Sequence, residues 1–268
     1  MIKIHSLSGG KTSSYMAVHY PADYNIFALV TIEDKKCAPK DAGIIKYVSD
    51  KIGKDFIATA EDDITLYALR DLEQILGKEI IWVRGQSFDS IINKGGGWLP
   101  SSINRFCTRE MKMRPIFDWW YRNIGEKVQM GIGYRYDEME RADRFTNKFK
   151  GIVGKRGTRN KWEEIEWREG WFPLIDNKII HPTVVKWALQ SGITFPSDSN
   201  CVGCFHKSPQ QLRKNFEDNP EKMQWFRDKE GKRSWKNGIR YSEIENYPLQ
   251  TDFDFGGGAG CNGGFCTD

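Results

Sequence analysis

Residues 2–20 read IKIHSLSGGKTSSYMAVHY and join two different patterns through a glycine-containing loop. The short apolar-rich run Ile2–His5 is predicted as a strand, and Thr12–Tyr20 is predicted as a helix. Between them lies Ser8-Gly9-Gly10-Lys11-Thr12-Ser13. Glycine lets the backbone approach a ligand closely, and the N-terminus of the following helix favours an anion. The segment therefore predicts a phosphate-binding loop that opens an α/β fold.

The alternation of β-rich runs and helical patterns continues through the first 135 residues, as in a parallel sheet covered by helices. The further predicted strands are Ile26–Ile32, Asp55–Thr59, Glu79–Val83 and Lys127–Gly133. The further predicted helices are Asp41–Ile52, Asp63–Leu76, Thr108–Asn123 and Pro182–Gln190. The expected fold class is α/β, a three-layer sandwich with a mostly parallel sheet. Residues 1–195 are expected to form this nucleotide-binding domain, and residues 196–268 a Cys-rich C-terminal segment that completes a metal site.

Composition excludes several classes of protein. With 268 residues, 39% hydrophobic and 28% charged, the chain can bury a core and is not disordered. Its apolar runs have the length of strands, so no membrane span is expected. The net charge of +4 allows an anionic partner without requiring one. Residues 1–10 lack the apolar core of a secretory signal, and we therefore expect a cytoplasmic protein.

The loop ends like a Walker A motif but does not match it. The Walker A pattern Gly-x4-Gly-Lys-Thr requires a glycine five residues before Gly10, where this chain has His5. Phosphate binding by Ser8–Ser13 would therefore differ from that of a Walker A loop. The alternative is an ordinary helix N-terminus preceded by a glycine turn.

Cysteine spacing predicts a metal centre. Cys201 and Cys204 form a C-x2-C pair, and Cys107 stands at the head of a predicted helix, where the dipole favours a thiolate. In a reducing compartment, metal or redox chemistry is favoured over disulfides. The alternative is that the C-x2-C pair packs as two small apolar thiols.

A fourth ligand has to come from the tail, which offers Cys261 and Cys266. Cys261 is favoured because a ligand nearer the body requires less of the tail to be ordered. Cys37 is predicted to be an unpaired thiol outside the site. His206 is expected to be structural or to face phosphate, because four cysteines are already available.

Mixed charges follow the predicted strand Lys127–Gly133, at the rim where α/β sheets place their ligands. They are Arg135, Asp137, Glu138 and Arg141. Arginine can bind sulfate or phosphate oxygens in a bidentate manner, and a carboxylate can orient the arginine or bind Mg²⁺. These four residues are therefore candidate catalytic groups.

A basic segment lies further along the chain. Residues 141–161 contain eight Lys or Arg and a single acid, Asp143, with little apolar periodicity, and are predicted to form a loop. Phe145, Phe149 and Trp162 are interleaved with the cations and are candidates for base stacking. The segment is a candidate track for a nucleic-acid backbone, and the alternative is a solvated loop.

Five segments, in their order along the chain, resemble the 3′-phosphoadenosine phosphosulfate (PAPS) reductase-like proteins common in phages and mobile elements. They are SGGKTSSYMA (8–17), RFCTREMKMRP (105–115), GYRYDEMER (133–141), FPLID (172–176) and NCVGCFHK (200–207). The first resembles the PP-loop of the adenine-nucleotide α-hydrolase superfamily, which includes N-type ATP pyrophosphatases. The resemblance covers nearly the whole chain and implies a bacterial or phage-infected host cell.

The resemblance implies ATP, or PAPS or adenylyl sulfate (APS), as the ligand. The residues it assigns to the phosphates are Ser8, Gly9, Gly10, Thr12 and Ser13, with Lys11 as an added point charge in catalysis. The adenine is expected near Thr31, Ile32 and Glu33, at the carboxyl ends of the first two strands. Glu33 and Asp34 are expected either to contact ribose or a metal, or simply to solvate the strand end.

The cofactors implied are Mg²⁺ and a [4Fe–4S] cluster, with Zn²⁺ as the alternative. The expected function is an ATP pyrophosphatase or adenylating enzyme that acts in sulfur transfer or a related modification of a nucleic acid or nucleotide. Its partners would be an adenine nucleotide, a nucleic-acid substrate and a sulfur donor. Sulfonucleotide reductases use a C-terminal Glu-Cys-Gly-Leu-His segment that this chain lacks, so PAPS or APS reduction is the alternative. The alternative from another class is a zinc-stabilised nucleic-acid-binding protein.

Overall fold

A computed structural model describes residues 1–248 and contains a five-stranded parallel sheet in the order β5-β2-β1-β6-β9. The strands of these residues are β1 (Lys3–Leu7), β2 (Tyr24–Leu29), β3 (Thr31–Ile32), β4 (Ala58–Thr59), β5 (Ile80–Arg84), β6 (Val128–Gly131), β7 (Lys148–Arg156), β8 (Arg159–Glu166) and β9 (Arg168–Trp171). The α-helices are α1 (Lys11–His19), α2 (Ala42–Ile52), α3 (Ile64–Leu76), α4 (Phe88–Lys94), α5 (Arg114–Asn123), α6 (Met139–Ala142), α7 (Pro173–Asp176), α8 (His181–Gln190), α9 (Pro209–Asp218), α10 (Pro220–Asp228) and α11 (Tyr241–Ile244).

Helices cover both faces of the sheet, because alternate residues of each strand point to opposite sides. On β2, Phe27 and Leu29 pack in one hydrophobic cluster with residues of α2 and α3. Ile26 and Ala28 of the same strand pack in another cluster with residues of α5. The prediction of an α/β fold with a parallel sheet is therefore confirmed, and the layering is consistent with a three-layer sandwich.

The strand order places a ligand crevice at the middle of the sheet. From β1 the chain builds β2 and β5 on one side, and β6 and β9 then extend the other side. The order reverses between β1 and β6, and open α/β sheets bind ligands at the carboxyl ends of the strands that flank such a reversal. The loop after β1 begins at Ser8, and the segment after β6 contains Gly133.

The predicted strand Ile26–Ile32 is interrupted in the structure. The carbonyl of Val30 accepts hydrogen bonds from the Ala60 N–H (3.0 Å) and the Thr59 hydroxyl (2.9 Å), which draws the chain away from the main sheet. Strand β3 therefore pairs antiparallel with β4 in a separate small sheet. The prediction of a strand over Asp55–Thr59 was too long, because only Ala58–Thr59 is extended and paired.

The prediction of a loop over residues 141–161 was wrong. Strands β7 and β8 form an antiparallel hairpin, and the short helix α6 precedes it. Nearly every residue of β8 is exposed, so the sequence lacks the alternation of apolar and polar residues that marks a half-buried strand. Strand β9, whose four residues pair with β6, was not predicted from the sequence.

The predicted helix Thr108–Asn123 consists of two parts. Thr108–Met113 is a π-helix, and α5 continues from Arg114 with Pro115 in its first turn. Proline has no N–H to donate to the preceding turn, which fits a local change of helical hydrogen bonding at this junction. Gly85 permits the close approach of β5, since a Cβ there would lie 2.6 Å from the Glu110 carbonyl oxygen.

The described residues after Pro196 share a hydrophobic core with the α/β unit. Phe205, Phe226 and Trp235 belong to the same buried cluster as Val30 and Phe88. Cys261 and Cys266 lie outside the described residues, so their predicted role is not addressed by the structure. Within residues 1–248, each helix is too short or too polar to span a bilayer.

Candidate functional site

The loop after β1 is held in a fixed curve by its own serines. Gly9 has a φ of +74°, a conformation that favours glycine. The Ser13 hydroxyl accepts the Ser8 N–H (3.2 Å) and donates to the Gly10 carbonyl (3.2 Å). The Ser8 hydroxyl lies 3.0 Å from the Ser13 hydroxyl and accepts the Gly10 N–H at 3.3 Å. Ser8 and Ser13 therefore shape the loop.

The loop leads directly into the N-terminus of α1. Gly10 is the N-cap residue, no side chain of the described residues caps this end, and the first turn contains no acid. Lys11 is the first residue of the helix and is half-buried. An uncapped N-terminus with a nearby cation is a suitable place for phosphate oxygens.

Two other segments approach the loop closely. A Cβ on Gly133, just beyond β6, would lie 3.3 Å from the backbone of Ser13. A Cβ on Gly10 would lie 2.8 Å from Cβ of Ser199, two residues before Cys201. The loop thus lies between the end of β6 and the segment that leads into the C-x2-C pair. Sequence reasoning missed Ser199, which belongs to no motif.

The predicted catalytic cluster after β6 lies beside this loop. Arg135 donates to the Thr12 hydroxyl (3.1 Å) and pairs with Asp137 (3.2 Å) and Glu138 (3.1 Å). Arg141 is buried and pairs with the other oxygen of Glu138 at 2.8 Å. Arg135 is thereby linked to the loop, and Glu138 joins the two arginines.

The residues expected near adenine lie around β3. Thr31 and Ile32 are buried. The Glu33 carboxylate accepts a hydrogen bond from the Ser87 hydroxyl (2.5 Å), and the backbone N–H of Glu33 donates to the Asp89 carboxylate (2.8 Å). The Asp34 carboxylate accepts the Lys36 N–H at 2.9 Å and caps a short 3-10 turn, which is a structural role.

Three of the predicted metal ligands line one small cavity. Cys107, Cys201 and Cys204 surround a space of about 40 Å³, together with the side chains of Phe226 and Trp235. Burial raises the pKa of Cys201 well above its usual value, so this thiol is neutral unless a metal or another cation stabilises the thiolate. The structure therefore brings together all the predicted cysteine ligands that it describes.

A buried ion pair lies next to these thiols. Lys112, which also lines the cavity, is 3.3 Å from the fully buried Glu61. The charge of Lys112 acts to lower the pKa of Cys201, against the larger effect of burial. Sequence reasoning missed Glu61, because an acid that precedes a predicted helix looks like an ordinary surface residue.

Among residues 1–248, no three His, Cys, Asp or Glu side chains come together as ligands of one metal ion. The thiolates of a [4Fe–4S] cluster bind different irons and therefore lie further apart than the ligands of one zinc. Cys107, Cys201 and Cys204 line one cavity, and the choice of a [4Fe–4S] cluster over zinc stays a prediction.

Cys37 lies outside the cavity of the three cysteines, whereas His206 is one of the residues that line it. Cys37 is buried, its thiol donates to the Glu221 carbonyl (3.4 Å), and burial raises its pKa to about 12. His206 packs against the ring of Phe205, and burial, followed by the charge of Arg105, lowers its pKa to about 4. His206 is therefore neutral in the folded protein, and its expected role, structural or facing phosphate, stays a prediction.

A much larger cavity, which we call the basic cavity, lies beside β6. Its volume is about 890 Å³, and it is enclosed by the π-helix, the residues after β6 and the β7–β8 hairpin. The cations lining it are Arg105, Arg109, Arg114, Arg144, Lys148, Lys150 and Arg168, and the acid lining it is Glu110. Arg144, Lys148 and Lys150 belong to the basic segment 141–161 that the sequence indicates as a candidate track for a nucleic-acid backbone. The sequence did not indicate Arg168, nor that this segment meets the π-helix in one cavity.

No protein-family model matches this chain, and no curated protein matches it.

Proposed function

We propose that this chain is a PP-loop enzyme with the adenine-nucleotide α-hydrolase type of fold, similar to the PAPS reductase-like proteins. It binds ATP at Ser8–Ser13 and transfers the AMP group to an acceptor, so that a bond from the acceptor to the α-phosphorus replaces the bond to pyrophosphate, which leaves. This adenylation is coupled to sulfur transfer or a related modification of a nucleic acid or nucleotide. The observation that carries the proposal is the position of a serine-braced glycine loop at the point where the strand order reverses.

The loop supports the binding of phosphates by two means. Its glycines have no side chain that would keep a phosphate away from the backbone, and the uncapped N-terminus of α1 contributes a partial positive charge. Negative charge develops on pyrophosphate as the bond breaks, and fixed donors that already point at that charge stabilise the transition state. Lys11 and Arg135 add two cations at this end of the loop.

Asp137 and Glu138 hold Arg135 in place through ion pairs of 3.2 and 3.1 Å. In the proposed enzyme they orient this guanidinium towards the phosphates, because a paired arginine keeps a fixed direction. Arg141 also pairs with Glu138, and its guanidinium lies 4.5 Å from the centroid of the Tyr134 ring. Arg141 therefore helps to hold Glu138 in position. When Mg²⁺ accompanies the nucleotide, Asp137 and Glu138 are the candidate carboxylates to hold it.

Cys107, Cys201 and Cys204, with a tail cysteine as the fourth ligand, would hold the proposed [4Fe–4S] cluster. Such a cluster supplies electron-transfer or sulfur-binding chemistry when it is bound. What supports this part is the shared cavity, and its neighbour Lys112 would offset part of the negative charge of the thiolates. Ser199, which lies against Gly10, connects this cavity to the phosphate loop within two residues of Cys201.

The first test measures ATP affinity and pyrophosphate release by anaerobically purified protein. Replacing Ser8 by alanine removes the contact between the Ser8 and Ser13 hydroxyls, and replacing Gly10 by alanine places a methyl group against Ser199. We expect Ser8→Ala/Gly10→Ala to lower ATP affinity at least tenfold, or about 1.4 kcal/mol. Arg135→Ala is the second variant and should lower pyrophosphate release more than affinity, since its charge is required most in the transition state.

Ser242→Ala/Gly231→Ala is the matched control. Both residues are exposed and remote from the loop, and a Cβ on Gly231 meets no atom within 4 Å. Equal ATP affinity in the loop variant and the control, both folded by circular dichroism, would exclude the phosphate loop. ATP binding without pyrophosphate release, with one zinc and no sulfide, would instead favour the nucleic-acid-binding alternative. Turnover of PAPS or APS in place of ATP would favour the reductase.

A further inference from the structure

The basic cavity contains a buried cation that no carboxylate of residues 1–248 neutralises. Arg168 is 4% exposed; its guanidinium donates to the Thr146 carbonyl (3.1 Å) and lies 3.8 Å from the Met113 sulfur. The Phe145 ring packs against this guanidinium, whose central carbon lies 4.3 Å from the ring centroid. Burial lowers the pKa of Arg168 to about 9. A buried charge without a counter-ion is costly, and an anionic ligand in the cavity would reduce that cost.

The wall formed by the hairpin offers an aromatic surface beside the cations. Trp162 lines the cavity and remains 43% exposed, and the guanidinium of Arg114 lies 4.7 Å from its ring centroid. An exposed indole next to arginine is suited to stack on a nucleobase, because every base has a flat π-face.

The cations continue from the cavity to the tip of the hairpin. Residues 155–161 read KRGTRNK, which is four cations without an acid, and all seven residues are exposed. Arg156 and Arg159 face each other across the turn. A small anion would be satisfied by the cavity alone and would gain nothing from this tip, whereas a polyanion can contact both.

The basic cavity also adjoins the other two parts of the site. Ile132 and Tyr134 line it, and Gly133 between them contacts the phosphate loop. Arg105 and Thr108 line both the basic cavity and the cavity of the three cysteines. A group held in the basic cavity is therefore next to both the nucleotide loop and the thiols.

We propose that the basic cavity and the hairpin tip, residues 155–161, bind single-stranded nucleic acid, with one nucleotide in the cavity and the flanking backbone along the tip. The cavity volume of about 890 Å³ is at the upper end of the range for sites that enclose a small ligand. As a binding site it stands independently of the ATP chemistry. The further claim that the nucleic acid bound there is the acceptor that the enzyme modifies rests on the function proposed above.

The test is fluorescence anisotropy with a labelled single-stranded oligonucleotide of about twelve nucleotides, as DNA and as RNA, without ATP and over a range of salt concentrations. We expect binding that weakens as salt rises. Arg156→Ala/Arg159→Ala should weaken binding at least fivefold and reduce the salt dependence, because phosphate contacts are lost. Trp162→Ala should weaken binding at least fivefold with the salt dependence unchanged, because it removes stacking.

Lys40→Ala/Lys54→Ala is the matched control, since both lysines are exposed and lie on other parts of the fold. Equal binding by the tip variant and this control would overturn the proposal. So would duplex binding tighter than single-strand binding, or binding of inorganic phosphate alone with no oligonucleotide bound. ATP affinity is measured on the same preparations and should not change in the tip variant, which separates failure of this inference from failure of the phosphate loop.

Discussion

At the scale of the residue, His5 shows how tightly the middle of the sheet is packed. It is fully buried in β1, its Nδ1 lies 3.2 Å from the Asn25 side-chain oxygen, and its ring stacks on Trp171 at 5.3 Å. Gly131 on the neighbouring strand leaves it room, since a Cβ there would lie 2.4 Å from the ring. Burial lowers the pKa of His5 to about 4, so the folded protein keeps this ring neutral.

The buried ring makes stability depend on pH. Between about pH 6.5 and pH 4 the unfolded chain binds a proton at His5 that the folded protein does not, so the free energy of unfolding falls as pH decreases. At roughly pH 5 the loss from His5 is about 2 kcal/mol. Urea unfolding near neutral pH and at roughly pH 5 should show a smaller decrease for His5→Gln than for the parent. Equal decreases in the two proteins would mean that His5 is already protonated, or is accessible to protons, in the fold.

Arg135 and Arg168 differ in how far the sequence predicts their surroundings. The sequence predicted that Arg135 would lie at the rim with the phosphate loop, and the structure places its guanidinium 3.1 Å from the Thr12 hydroxyl. It could not predict the buried Arg168, because an arginine in a short strand looks like any surface cation until its neighbours are known.

At the scale of the element, the π-helix Thr108–Met113 and the turn Cys201–Cys204 form the walls of the cysteine cavity. Gly203 allows this turn to lie against α10, since a Cβ there would be 2.2 Å from the Phe226 ring. The Val202 N–H donates to the Ala60 carbonyl at 2.9 Å, which ties the turn to the end of β4. The thiols are therefore held by rigid packing.

Single Cys→Ser variants test the proposed cluster at this scale. Replacement of Cys107, Cys201 or Cys204 should abolish the visible absorbance of anaerobically purified protein, because each removes one of four ligands. Iron and acid-labile sulfide should fall with it. Cys37→Ser is the matched control and should keep the absorbance, the iron and the sulfide. The Cys37 thiol donates a hydrogen bond to the Glu221 carbonyl and does not line this cavity.

Replacement of one of the two tail cysteines should have the same effect, and Cys261 is the one we expect. Full retention of metal by Cys201→Ser, or by a chain ending at Gly256, would contradict the proposed ligand set. A metal analysis that finds one zinc per chain and no sulfide would mean that the site holds a structural zinc and not a cluster.

At the scale of the whole molecule, the fold was predictable where burial determines the pattern. The helices α2 and α3 and the strands β2 and β5 carry regular apolar spacing because they pack into shared clusters, and their predicted positions were correct to within a few residues. The exposed hairpin and the short β9 carry no such spacing. These segments form strands because they pair with other strands, and the local sequence does not indicate that pairing.

The candidate site was predictable in its parts and not in its assembly. The proposed phosphate loop, the charged cluster after β6 and the proposed cysteine ligands were each predicted from local motifs. Their meeting depends on long-range contacts, such as Gly10 with Ser199 and Gly133 with Ser13, which no local pattern encodes. The basic cavity likewise joins segments that are distant in sequence.

The central claim is that the phosphates of an adenine nucleotide bind the loop between β1 and α1. The most direct measurement is a crystal structure of anaerobically prepared protein with Mg²⁺ and an ATP analogue that cannot be cleaved between the α- and β-phosphates. We predict the phosphates at the backbone N–H groups of Gly9 and Lys11–Ser13, with the Arg135 side chain beside them. Phosphates bound in the basic cavity instead, or no nucleotide bound at a concentration that saturates the protein in solution, would contradict the account.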